Sequence, residues 1–461
     1  MQSNVSRHGM AVAPHHLASH SAMPVLREGG SAIEAMDAAA ATIALVYPHM
    51  NGLGGDGFWL IVPPQGEAIA IDYAQNGAPV TASQAHATAS KFDELKDLPG
   101  FAETWLVDGK PPQVWSRFYQ PSMATTLTRL VEDGLDSFYR GPLAEVLAHG
   151  METLGLPVTL AYLHAHVARR TTPLVLQHQQ GEIFNHAPPT QGLVSLAILG
   201  ITDRLNMADD AGTIHHIVEA TKLAFGLRDA HITDPRELNT DIQRLLDPAV
   251  LQTLAERVDD SRAAPWGSGK GPGDTVWMGV MDNSGLAVSF IQSIYHEFGS
   301  GVVLPDTGIV WQNRGASFRL DPDHPLALAP GKQPFHTLNP AAARLKDGRV
   351  RVYGSMGGDG QPQTQATLFT RYLVQGMPLQ ESITPPRWLL GRTWGQTSDT
   401  LKLEGRFTAE TVSQLRARGH EVEISPYFSE AMGHAGAIVR HHNGLFEGTF
   451  DPRSNGAAAR F

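Results

Sequence analysis

The chain has 461 residues, 42% hydrophobic and 18% charged, which fits a folded globular protein with a large core and, by length alone, two or three domains. Its net charge of −11 argues against a nucleic-acid partner, and a count of 0 cysteines excludes disulfides, thiolate catalysis and cysteine-type zinc sites. No apolar run reaches the length of a membrane span, so no membrane partner is expected. Met1–His8 has no apolar signal region, so the expected location is cytoplasmic, or periplasmic if a leader precedes this start.

In chain order, Ser31 and Glu34 form an S-x-x-E capping box ahead of an Ala-rich run, predicting a helix over 31–47 that ends at Tyr47-Pro48. Asn51–Gly57 is glycine-rich and precedes an apolar strand, Phe58–Val62. This helix–loop–strand order is the reverse of a phosphate loop, so a tight turn with close backbone packing is expected. Residues 82–117 read as a polar excursion. Ser122–Glu132 and Pro142–Leu154 have helical patterns. A further helix is expected over 213–230, with Thr213 as N-cap and Ile214, Ile217, Val218 and Phe225 on one face. The 21 histidines are scattered. The close sets His164/His166, His215-His216 and His441-His442 show no HExxH pattern and no carboxylate recognised at ligand spacing, so packing roles and no metal are expected.

From Asp259 to Asp274 the chain is Gly, Pro, Ser and charge, which reads as a mobile loop. It stops at Asp274-Thr275, where a strand pattern begins at once. Cutting that bond would give Thr275 a free α-amine beside its hydroxyl, and an N-terminal amine can take the proton of a threonine hydroxyl to make it a nucleophile. Val276–Asp282 and Leu286–Ser293 are separated by Asn283-Ser284-Gly285, a three-residue hairpin loop with glycine last. In that register paired residue numbers sum to 568, so Thr275 should face Ser293 and share a sheet face with it.

These residues match a known pattern across nearly the whole chain. His8–Ala13 and Gly29–Ala38, Asn51–Phe58 (GxGGGGF), Pro188–Gly192 (PPxxxG), Asp274-Thr275, Gly354–Gly358 (GSxGG) and Asp451-Pro452-Arg453 (DPR) resemble the gamma-glutamyltranspeptidase family of N-terminal-nucleophile hydrolases. The resemblance implies a four-layer αββα sandwich of α/β class, built jointly by 1–274 and by the 187 residues of 275–461 as one intertwined domain. It implies self-cleavage between Asp274 and Thr275, with the two fragments staying together. It further implies attack by Thr275 on an amide carbonyl, with Ser293 beside it and the N–H groups of Gly357 and Gly358 as the oxyanion hole. No cofactor or metal is implied. The partners expected are a small-molecule amide substrate and the two fragments themselves, with a homo-oligomer left open.

Three departures concern specificity. The family holds the substrate α-carboxylate with an arginine before an Ala-Pro pair, but Asp72–Pro79 has none. The acid expected before Phe318 is Ser317. The paired serines of the carboxylate site are His336 and Thr337. An α-amino-acid clamp is therefore not expected. The variants QNRGASF, FHTLNP and GGDGQPQ resemble the family's oxamate amidohydrolase branch. Arg314, Ser317, His336 and Thr337 are the expected substrate contacts, with Arg314 suited to a carboxylate. Asp359 and Gln361 line the pocket or close a turn. The alternatives are a gamma-glutamyl hydrolase or transferase acting on glutathione-like substrates, and an uncut, non-catalytic relative.

Overall fold

The computed structural model describes residues 2–62, 78–207, 209–266, 274–392 and 398–461. Among these the strands are β1 (Asn4–Ser6), β2 (Met10–Ala13), β3 (Asp56–Val62), β4 (Ala78–Pro79), β5 (Arg117–Phe118), β6 (Leu174–His178), β7 (Gly181–Asn185), β8 (Asp274–Met281), β9 (Ala287–Tyr295), β10 (Ala341–Leu345), β11 (Val350–Ser355), β12 (Trp388–Leu390), β13 (Leu401–Glu404), β14 (Val422–Ser425), β15 (Ala435–Arg440), β16 (Phe446–Phe450) and β17 (Ala457–Arg460). They build two principal sheets, ordered β1-β16-β15-β11-β10-β7-β6 and β17-β2-β8-β9-β3. Every pairing in both is antiparallel. Each sheet takes strands from both sides of the Asp274–Thr275 bond.

The period of two along a strand sorts the side chains into layers. On β8, Val276, Met278 and Val280 point to a core shared with the helices His16–Arg27 and Ala32–Val46. Trp277 and Met281 point the other way, into a core with Met10, Val12, Ile291, Val352 and Ile438 that lies between the sheets. The far face of the longer sheet carries Leu176, Ile183 and Val439, covered by the helices Gly192–Thr202, Asp210–His231 and Gly360–Phe369. The result is the helix–sheet–sheet–helix sandwich.

Trp277 is the keystone of the middle layer, with its Nε1 donating to Ser289 Oγ at 2.9 Å. Burying an indole of this size contributes on the order of 5 kcal/mol. Its ring lies where a Cβ on Gly354 or Gly436 would overlap it. The first glycine of the GSxGG motif therefore serves packing.

Several local expectations hold. The Ala32–Val46 helix has both halves of its capping box, including Ser31 N donating to Glu34 Oε2 at 2.8 Å. The glycines before β3 sit in close quarters, since a Cβ on Gly54 or Gly55 would strike the carbonyls of Val310 or Ser293. Two expectations are corrected. The long helix begins at Asp210, with Asp209 as N-cap accepting from Gly212 N at 2.6 Å, so Thr213 lies inside it. The stretch 82–117 is not merely polar. It holds the helices Ala82–Leu95 and Phe101–Trp105, which bury Ala87, Leu95, Phe101 and Trp105 against Phe298.

Candidate active site

Thr275 sits at the head of β8, buried. The 568 register holds from Val276↔Gln292 to Met281↔Ala287, closed by Gly285 at φ +89°. It does not extend to Thr275, because Asp274 pairs Tyr295 instead of Ile294. The ladder is bulged there, with Thr275 set against Ser293 and Ile294 together. The expected simple Thr275–Ser293 pair is corrected accordingly. A bulge re-aims the side chain at the end of a strand, a device found beside active sites.

Thr275 Oγ1 accepts a hydrogen bond from Gln361 Nε2 at 2.9 Å. Gln361 lies in the first turn of the Gly360–Phe369 helix, directly after the Gly357-Gly358 turn. Both glycines have positive φ, +115° and +50°, which a side chain would strain. The turn is closed by Gly360 N to Gly357 O at 2.7 Å and Gln361 N to Gly358 O at 3.2 Å. It is also tied from outside. Gln191 Nε2 donates to Gly358 O at 2.9 Å and to Thr337 O at 2.7 Å. Asp359 is fixed by Arg228, Nη1 to Oδ1 at 2.7 Å. Burial works against the Arg228 charge, but Asp359 and Asp229 outweigh it and raise its pKa. The two glycines are thus held by a buried, hydrogen-bonded frame, the preorganisation an oxyanion hole requires.

The second group is a charged wall that the sequence did not reveal. Asp56, the first residue of β3, pairs across the sheet with Ser293. Its carboxylate receives Arg314 Nε at 2.8 Å and faces His336 Nε2 at 3.2 Å. Burial alone would raise the Asp56 pKa, but the Arg314 and His336 charges and hydrogen bonds hold the carboxyl below the usual carboxylate range. Arg314 is fully buried and stacks over the Tyr295 ring at 4.2 Å. Its Nη2 lies 3.4 Å from Ser293 Oγ, which also accepts from Tyr295 N at 2.9 Å. Its Nη1 has no partner among the described residues. Arg314 is therefore not wholly free for a ligand, as its sequence reading implied. Asp56 occupies the Nε side and leaves the Nη1/Nη2 edge.

His336 is held from behind by Pro334 O, 2.8 Å from Nδ1. Thr337 enters this frame through its carbonyl, which receives Gln191. Ser317 ends the short 3₁₀ turn Arg314–Ser317, and its Oγ has no partner among the described residues. The side chain of Asp274 and the Asp72–Gly77 stretch lie outside what is described. Sequence reasoning missed Asp56, Gln191 and Arg228. A signal existed for Asp56, which stands where the GxGGGGF pattern has a glycine.

The segment before the junction is better anchored than its composition implied, as far as Trp266. His215 Nε2 meets Asp259 O at 2.7 Å, His216 Nε2 meets Asp260 Oδ1 at 2.9 Å, and Lys222 Nζ donates to Ala264 O at 2.6 Å. Residues 267–273 lie outside the described residues. The expectation that no carboxylate accompanies His215 is also corrected. Glu219, one helical turn on, comes within 4.8 Å of His215 and His420, close enough for the three to share a cation. These groups are committed elsewhere. His215 Nδ1 meets His420 Nε2 at 2.8 Å, while the Glu219 oxygens receive Lys222 Nζ at 2.7 Å and Ala264 N at 3.0 Å.

The sequence profile of the family described as Gamma-glutamyltranspeptidase matches residues 18–73 and 67–461. The oxamate amidohydrolase proenzyme of Klebsiella pneumoniae subsp. pneumoniae is 67% identical over 525 residues, covering 100% of this chain and 99% of that protein. The glutathione hydrolase-like YwrD proenzyme of Bacillus subtilis is 35% identical, covering 97% and 98%. Among solved structures, the cephalosporin acylase from Bacillus halodurans superposes with a TM-score of 0.90 at 27% identity, covering 100% of this chain and 97% of that one. The chain belongs to the gamma-glutamyltranspeptidase family, as an enzyme of its self-processing amidohydrolase kind.

Proposed function

We propose that the chain cuts itself between Asp274 and Thr275 and then hydrolyses the amide of a small carboxylate-bearing acid of the oxamate type. In self-cleavage, Thr275 Oγ1 attacks the Asp274 carbonyl carbon and the peptide C–N bond breaks, leaving an ester and a free amine. Water then cleaves the ester to an Asp274 carboxylate and the Thr275 hydroxyl. Fragments 1–274 and 275–461 stay together because each sheet is woven from both.

In turnover, the Thr275 amine takes the Oγ1 proton as the oxygen attacks the substrate carbonyl carbon. The oxyanion rests on the Gly357 and Gly358 N–H groups. The C–N bond breaks, and the proton held by the amine leaves with ammonia. Water, deprotonated by the same amine, attacks the ester. The C–Oγ1 bond breaks, and Oγ1 recovers its proton.

The observation that carries the substrate reading is the Arg314 guanidinium. Asp56 holds it rigidly against Ser293, with its Nη1 uncommitted among the described residues. A planar two-nitrogen edge suits a carboxylate. The 67% identical relative named for oxamate supports the same choice. A gamma-glutamyl substrate would also need an acid for its α-amino group. Ser317 stands at the family's position for it, and the Asp56 carboxylate is already shared by Arg314 and His336.

The test is ammonia release from oxamate beside glutathione hydrolysis, on protein whose cutting has been checked on a denaturing gel. Oxamate turnover with weak glutathione turnover is expected. The reverse preference would sink the substrate reading, and one persistent band of full length would sink the mechanism.

A further inference from the structure

The Gly360–Phe369 helix carries three buried glutamines, and they differ. Gln363 is satisfied at both ends of its amide, with Nε2 on Asp359 O and Leu390 O at 3.0 Å each and Oε1 receiving Leu390 N at 2.8 Å. Gln365 is satisfied too, through Asn339 and Asn185. Gln361 is fully buried and donates to Thr275 Oγ1, yet its Oε1 has no partner among the described residues. A buried carbonyl without a donor is costly and rare enough to need a reason.

Thr275 supplies one. In the uncut chain its nitrogen is a peptide N–H. Cutting the bond converts that nitrogen to an amine with additional N–H donors, two bonds from the carbon that bears Oγ1. The nitrogen and oxygen of an amide are the two ends of one planar group, and the nitrogen and Oγ1 of a threonine are neighbours across one Cα–Cβ bond. The spans of the two groups are similar, so an amide bonded to one of the pair is within reach of the second with its other end.

We infer that Gln361 is the residue that orients the general base. Its Nε2–H holds Oγ1, and its Oε1 accepts a hydrogen bond from the α-amine once the chain is cut. The inference rests on Thr275 being the nucleophile. Fixing an amine N–H on Oε1 turns the nitrogen lone pair toward the Oγ1 proton. This is the arrangement in which a base is itself positioned by a third group. The same Nε2–H stays on Oγ1 through the ester and steadies that oxygen as the C–Oγ1 bond breaks in deacylation. Gln361 gains and loses no proton and forms no covalent bond. It touches the reacting oxygen and positions the amine.

The test measures the amine directly, so it needs no knowledge of the natural substrate. The full-length chain, Gln361→Met and Gln361→Glu are produced. The pKa of the Thr275 α-amine is read from the pH dependence of its labelling by acetic anhydride, followed by mass spectrometry of the small fragment. An acceptor on the ammonium stabilises its charged form, and a carboxylate does so more than an amide. The amine pKa is therefore expected to fall in Gln361→Met and to rise in Gln361→Glu, each by about half a unit or more. The acidic limb of kcat/KM for oxamate should move with it. In Gln361→Met, kcat should fall about 10- to 100-fold, with KM changed much less. A variant that stays uncut is measured after producing 1–274 together with a 275–461 chain beginning at Thr275. Equal amine pKa values in all three proteins would overturn the inference and leave the nucleophile standing. A parent protein with no fragment starting at Thr275 would instead bring down the reading on which it rests.

Discussion

Two regions meet at Ser293, and they are built on opposite principles. The groups nearest Thr275 are neutral: a hydroxyl, a glutamine amide and the backbone of two glycines, held by Gln191 with the Arg228–Asp359 ion pair behind them. Across the sheet stands an ion pair, with Asp56 holding Arg314 at 2.8 Å and facing His336. The neutral side can serve any acyl transfer, since a carbonyl oxygen needs donors whatever substrate bears it. The proposal gives discrimination to the Arg314 side, because a fixed guanidinium favours an anion and disfavours a cation. On the proposed function, reaction and selection fall to separate strands, β8 with its facing helix for one and β3 with the Arg314 turn for the other. One side should then be alterable while the other is kept.

The comparison breaks most completely at the nucleophile. Thr275→Ala should leave a single band on a denaturing gel and lower oxamate turnover at least about 1,000-fold, with the charged side untouched. A Thr275→Ala protein that still separates into two bands would refute the assignment. The next largest effect is expected at Asp56. Asp56→Asn leaves the buried Arg314 guanidinium without its carboxylate and should cost about 3–5 kcal/mol in urea unfolding. It should also blunt discrimination between oxamate and neutral amides. Little change in unfolding midpoint would mean that the triad is not under electrostatic load.

Arg314→Lys keeps the charge but loses the planar edge. It should raise KM for oxamate about 10- to 150-fold, the equivalent of about 1.5–3 kcal/mol for a charge-assisted pair, while self-cleavage proceeds. A matching loss of cutting would show that the two sides are not separable. Gly354→Ala tests whether motif glycines all serve chemistry. Overlap with Trp277 should cost about 1–3 kcal/mol of stability, while kcat per folded molecule is unchanged.

The last effect concerns the segment ahead of the junction, and near neutral pH it is the smallest. Burial, then the Lys222 and His215 charges, push the His420 pKa down to about 3. The unfolded value is higher, near 6.5. Between these values the unfolded chain binds a proton that the folded chain refuses. Stability is therefore fully present above about pH 6.5 and is lost as pH falls toward 3, by at most about 1.4 kcal/mol per unit. His420→Asn should flatten that slope in urea unfolding at pH 5. Asp56 behaves differently, because its depressed pKa keeps its contribution until far lower pH, where protonation removes it. Acid should thus loosen the His215–His420 contact before it loosens the triad. Hydrogen exchange that reports the opposite order would contradict this.

How much of this was legible in the sequence follows from the range of the interactions. The capping box at Ser31, the hairpin at Asn283–Gly285 and the glycine turn at Gly357-Gly358 are set by residues a few positions apart, and their local chemistry is enough to recognise them. The break at Asp274-Thr275 and the ordered motifs gave the family and hence the sandwich. Thr275 was placed beside Ser293, but the bulge that sets it against Ile294 as well was not visible, because it depends on how β8 ends in the sheet. The charged wall joins residues 56, 314 and 336, and the glutamine frame joins 191, 337 and 358. No local pattern announces such pairs. Arg314 alone reads as an open carboxylate site, and only the fold puts Asp56 against its Nε. The sequence by itself determined the kind of bond proposed for attack, since a threonine at the proposed cut and two glycines are local requirements. The tertiary structure decided what else that bond must carry, because selection depends on charges brought together from distant strands and buried where water no longer screens them.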